Sequence, residues 1–164
     1  MNDTTSKKLN KRKLFFWILS ILCMITIFYF SSQDSDESTQ ESHKIGRAIG
    51  HIVKKDFDSW TFEEQEEFAA KIDFPVRKAA HFLEYATLGT LLALAWFDEL
   101  RKKRGNILVP FAVGAAYSVT DELHQLIVSG RAGQIRDVLI DSSGVFTGVL
   151  ITTVIISCVK KISK

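Results

Sequence analysis

The chain has 164 residues, 46% of them hydrophobic and 24% charged, with a formal net charge of +2. That balance supplies no basic field for nucleic acid, so a nucleic-acid partner is excluded. The apolar residues come in long runs, which argues against one soluble domain and for an all-α, polytopic membrane helical bundle.

Leu14 to Phe30 is the first run, with Ser20, Thr26 and Tyr29 as its polar interruptions. Seventeen residues rise about 25 Å as a helix, close to the thickness of a bilayer core. Lys7, Lys8, Lys11, Arg12 and Lys13 precede it, so a cleaved signal peptide competes with an anchor. The run is long for a signal, and no small-x-small site follows clearly, so it is read as an uncleaved span. Cys23 in this run and Cys158 near the chain end give neither a disulfide framework nor a metal spacing. They are read as buried apolar thiols.

The next segment, 31–76, is predicted to be an extracytoplasmic loop. From Ser31 to Asp73 it holds eleven acidic and five basic residues. Ile45, Ala48, Ile49, Ile52 and Val53 recur at helical spacing, with His43, Lys44, Arg47, His51, Lys54 and Lys55 on or near the other side. This predicts a short amphipathic helix that caps the bundle or lies on the membrane surface. Thr61 and Glu64 have capping-box spacing for a second, acidic helix ending before Pro75. Capping the bundle competes with a lid or recognition role for both helices.

Three further spans follow, from about Ala79 to Phe97, from Ile107 to about Val128, and from Val138 to Val159. Gly105 and Asn106 suit a tight turn, and Pro110 falls in the first helical turn, where its missing N–H costs nothing. A soluble four-helix bundle is the alternative, but the nearly all-apolar first and last runs lack a solvated face. Basic clusters stand before span one, between spans two and three (Arg101 to Arg104), and after span four (Lys160, Lys161, Lys164). With four spans, all three lie on one side, which places both termini in the cytoplasm. Residues 1–164 are thus read as one membrane domain of a multi-pass cell-membrane protein.

Ionisable residues gather at the predicted outer ends. Arg77, His81, Glu84 and Leu88 share one helical face of span two, flanked by Lys78 and Tyr85. In span three Asp121, His124 and Gln125 share a face, with Tyr117 one turn below and Glu122 turned aside. Ser129, Gly130 and Arg131 form the exit. Arg136 and Asp137 precede span four, where Asp137, Asp141, Gly144 and Gly148 line one face. The glycines there would let another helix approach closely. Charges at membrane depth need partners or a wet cavity, so a shared outward cavity competes with a purely structural network. Glu84 paired with Arg77 or His81 is the structural form of that reading. Glu84, Asp121, His124 and Asp137 are the candidate acid–base groups. Arg77, His81, Glu122, Gln125, Arg131, Arg136 and Asp141 are the candidate substrate contacts, the arginines suiting anionic oxygens. The spacing matches no zinc signature, and neither a metal nor a cofactor is assigned.

Asp121-Glu122-Leu123-His124-Gln125, then Gly130-Arg131, Asp137, Gly144 and Gly148, resemble the VanZ-like family of small bacterial membrane proteins. Ser31-Ser32-Gln33 and Arg77-Lys78-x-x-His81-x-x-Glu84-Tyr85-x-x-x-Gly89 add to the resemblance, which runs from span one through span four. Two positions depart from the family pattern. Ser129 stands where Pro is common before Gly-Arg, which loosens the loop, and Asp141 stands where Asn is common, which adds charge near Asp137. The resemblance implies an association with low-level resistance to the glycopeptide teicoplanin, without an established mechanism. The leading expectation is a protein that binds or acts on an envelope lipid or glycolipid. A small transporter or carrier and a structural or partner-regulating protein are the alternatives. Whether the protein is an enzyme, and whether it forms a homo-oligomer, stay open.

Overall fold

The computed structural model describes residues 3–102 and 106–162, with side chains for 11–98, 100 and 106–159. Helices α1 (Asp3–Ser31), α2 (Ser35–Val53), α3 (Phe62–Ala95), α4 (Phe97–Lys102), α5 (Leu108–Gln125) and α6 (Ile135–Ile162) are joined by turns, and no strand occurs among the described residues. The side chains of Lys7, Lys8, Arg101 to Arg104, Lys160, Lys161 and Lys164, and all of Gly105, lie outside the described residues.

Helix α3 is the organising element, packing on α1, α2, α5 and α6. It begins as the sequence predicts. The Thr61 Oγ1 accepts from the Glu64 amide at 3.3 Å, and the Glu64 carboxylate accepts from the Thr61 amide at 2.7 Å. It does not end before Pro75. The acidic outer helix and the second predicted span are one continuous 34-residue helix, about 50 Å long at 1.5 Å per residue. Proline removes one main-chain donor and crowds the carbonyl four residues back. Contacts on both sides of Pro75 hold the backbone helical through that defect. Arg77 donates to Asp73 at 2.6 Å, one turn apart, and Ser42 of α2 also donates to Asp73.

Helix α2 returns along the outer half of α3. Asp34 caps it, accepting from the amides of Asp36 and Glu37 at 3.0 and 2.9 Å. The face that packs on α3 is not the apolar one. Ser42, Gly46 and Gly50 are buried, with Gly46 against Ala69 and Gly50 against the Phe57 ring. Ile45, Ile52 and Val53 point outward, Ile52 with 84% of its surface exposed. Small side chains let the two helix axes approach, and polar anchors hold the pair. His43 and Arg47 both engage Glu66.

The C-terminal half of α3 packs against α6 with the two helices running in parallel. A Cβ on Gly148 would fall on the Ala86 carbonyl, one on Gly144 on the Phe82 carbonyl, and one on Gly89 on the Val145 backbone. The expected close approach at Gly144 and Gly148 is therefore present, with α3 as its partner. Tyr85, Leu88, Leu92, Val145, Val149 and Ile27 fill the core around this contact. Helix α1 joins it through Ile27 and through Tyr117 of α5, whose hydroxyl donates to the Met24 carbonyl at 2.6 Å. At the opposite end Arg12 pairs with Asp98 at 2.9 Å and sits over the Phe97 ring.

Among the described residues two helices are long and apolar enough to cross a bilayer, Lys11–Ser31 and Ile135–Val159. The other two predicted spans fall on the end of α3 and on α5, which carry His81 and Glu84, and Asp121 and Glu122.

Candidate functional site

The polar residues collect at one end of the bundle, where α3 and α5 meet α6 and the end of α1. The α3–α6 contact sets the register: Asp137, Asp141, Gly144 and Gly148 all face α3, as their spacing predicts. Lys78 Nζ donates to Asp137 at 2.7 Å. One turn further in, the Asp141 Oδ1 lies 3.8 Å from His81 Nδ1. Asp141 is fully buried and neither of its oxygens has a hydrogen-bond partner. Glu84 pairs with neither Arg77 nor His81, because Asp73 and Asp141 occupy those positions.

Helix α5 adds Asp121, Glu122 and Gln125, all buried. Asp121 faces Ser31 of α1 and Tyr85 of α3, whose hydroxyls are buried but fall outside hydrogen-bond geometry. The Gln125 amide donates to Asp121 at 3.5 Å. Glu122 is not turned aside. Its carboxylate folds back to accept from the Gln134 amide at 2.8 Å, fixing the loop before α6.

That loop turns at Gly130, whose φ of +70° lies in the left-handed region that glycine occupies without strain. The turn directs Arg131 back over the α1 terminus, where it donates to the carbonyls of Gln33 at 3.2 Å and Phe30 at 3.5 Å. A guanidinium at carbonyls closing a helix is favoured by the helix dipole. Burial, and then the nearby Arg77, lower the Arg131 pKa from its ordinary value; the group stays charged at neutral pH.

Two cavities open here. One, of about 220 Å³, is bordered by Arg77, Lys78, His81, Arg131, Arg136 and Asp137. The other, of about 250 Å³, shares Arg77, His81 and Arg131 and adds Glu84 together with residues of α2. The structure thus unites Arg77, His81, Glu84, Gln125, Arg131, Arg136 and Asp137 on cavity walls, with Asp121, Glu122 and Asp141 buried among the supporting helices. His124 is separate. It stacks on Phe28 with ring centroids 4.5 Å apart and meets Ser32 Oγ at 3.1 Å, on the α1–α5 seam, and it borders neither cavity. Lys78, a flank of the Arg77 face by spacing, reaches the site because α6 packs on that side.

The first cavity presents four permanent cations and one carboxylate, a set suited to phosphate or carboxylate oxygens. Among the described residues no three His, Cys, Asp or Glu side chains converge as metal ligands.

An all-helical chain with membrane-length apolar helices and a cationic cavity at one end defines the class. The chain matches the VanZ/LLP1 family over residues 16–156 and belongs to that family. No curated protein and no solved structure matches it. Membership and the two apolar helices together point to a membrane protein, and are consistent with one associated with glycopeptide resistance.

Proposed function

We propose that the protein is a four-span membrane protein whose outward-facing cavities bind the anionic headgroup of a cell-envelope lipid or glycolipid, and that this binding underlies an influence on glycopeptide susceptibility. The observation that carries the reading is the pair of cavities walled jointly by Arg77, His81 and Arg131. Clustered, partly desolvated guanidiniums repel one another unless an anion joins them.

The four-span reading draws support from the molecule's apolar surface. Ile18, Ile21 and Ile25 on α1, Leu83 on α3, Val119 and Leu123 on α5, and Ile151 and Ile155 on α6 are all exposed. Soluble chains rarely expose contiguous apolar surface on this scale. The ionisable side chains of the two less apolar helices turn inward instead, as intramembrane charges do. The basic flanks support a cytoplasmic position for both termini.

A structural network is the second reading, favoured by the Lys78–Asp137 and Arg77–Asp73 pairs, which already satisfy two of the cations. Lipid extraction and mass spectrometry of the purified full chain separate the two. Binding predicts enrichment of an anionic lipid relative to the source membrane; unchanged lipid proportions contradict it.

A further inference from the structure

The second cavity differs in chemistry from the first, and the difference specifies the ligand further. Its walls mix acceptors and donors. Glu84 on α3 and Glu41 on α2 present carboxylates, while Arg77 and Arg131 present guanidiniums and Ser38 presents a hydroxyl. Several of these are already engaged. Glu41 pairs with Lys44 at 2.7 Å, and Arg77 with Asp73. Glu84 is half-buried, one turn from His81, and has neither Arg77 nor His81 as a partner. Ile45, Val76 and Ala80 supply an apolar side to the same space.

Resting on the anionic-headgroup reading above, we infer that the second cavity holds a hydroxyl-rich group, a polyol or sugar, attached to the phosphate bound in the first. An ammonium group would meet Glu84 favourably but would also face Arg77 and Arg131, and like charges at this depth are costly. An apolar group would leave the Glu84 carboxylate desolvated without a partner. A hydroxyl both donates and accepts, so it serves Glu84 and the guanidiniums together. The C–H faces of a sugar or cyclitol ring fit against Ile45, Val76 and Ala80. The shared wall of Arg77, His81 and Arg131 then lies between phosphate and ring, which is where a phosphodiester linkage belongs.

The test compares short-chain phosphatidylinositol, phosphatidylethanolamine and phosphatidic acid binding to the detergent-solubilised full chain by native mass spectrometry. Phosphatidylinositol is expected to bind about tenfold or more tightly than the other two, the scale of one or two hydrogen bonds to charged groups. Glu84→Gln and, separately, Ser38→Ala are expected to reduce that preference, read as the ratio of phosphatidylinositol to phosphatidic acid affinity. Ser38→Ala keeps the test valid if Glu84→Gln alters folding. Phosphatidic acid binding as tightly as phosphatidylinositol overturns the inference but leaves the anionic-site reading standing, whereas net-neutral phosphatidylethanolamine binding as tightly as both overturns the two together. No binding of any of the three lipids overturns both.

Discussion

Removing both partners of the Lys78–Asp137 pair should cost less than the sum of the two single removals. The two groups meet at 2.7 Å with 22% and 11% of their side chains exposed, and they join α3 to the start of α6. Asp137 Oδ1 is otherwise buried without a hydrogen-bond partner, with the half-exposed Arg136 guanidinium 4.0 Å away, so Lys78 is the main compensation for this carboxylate. Breaking a buried pair from one side leaves an uncompensated charge, worth about 3–5 kcal/mol, whereas replacing both partners is often close to neutral. Partial exposure of Lys78 places the expected cost of Lys78→Met near the lower end, about 3 kcal/mol. Asp137→Asn leaves the more accessible ammonium and should cost about 2 kcal/mol. The double variant should recover at least about 2 kcal/mol relative to the sum of the singles. Reversible unfolding in mixed micelles, followed by far-UV circular dichroism across a denaturing-detergent titration, measures all four corners of the cycle. Additive single costs would show that the pair does not couple α3 to α6.

Gly148→Ala places a methyl against the Ala86 carbonyl and should lower stability by about 2–3 kcal/mol, read from the same titration. Gly130→Ala should cost about 1–2 kcal/mol through its left-handed backbone, and should reduce anionic-lipid binding because this turn aims Arg131. Tyr117→Phe removes the hydroxyl bond to the Met24 carbonyl and should cost about 1 kcal/mol without changing lipid binding. Reporter fusions should be cytoplasmic at Lys103 and Lys164 and exported near Asp58; a cytoplasmic signal at Asp58 would overturn the four-span topology.

Much of this is legible because the apolar length of α1 and α6 marks them as candidate spans, and because spacing alone decides which residues share a helical face. The capping box at Thr61, the inward face of Asp137 to Gly148 and the turn at Gly130 are all local patterns. What escaped depended on partners distant in sequence. Pro75 looked like a helix end because its local penalty is visible, while the α2 contacts that offset it are not. Apolar spacing picks out the isoleucines of α2 but does not register that Ser42, Gly46 and Gly50 permit close approach to α3. His124 shares a face with Asp121 by spacing, yet α1 draws its ring onto Phe28. Lys78 gained its role from the choice of α6 as neighbour.

The central claim is that Arg77 and Arg131 hold an anionic lipid headgroup. Its most direct test is the amount of anionic lipid co-purifying per mole of protein for the wild type, Arg77→Gln, Arg131→Gln and the control His124→Asn, with melting temperature recorded for each. Loss of bound lipid in both arginine variants, with retention in His124→Asn at comparable melting temperatures, is the predicted result. Equal lipid content in all four proteins would contradict the account and leave the cluster a structural network.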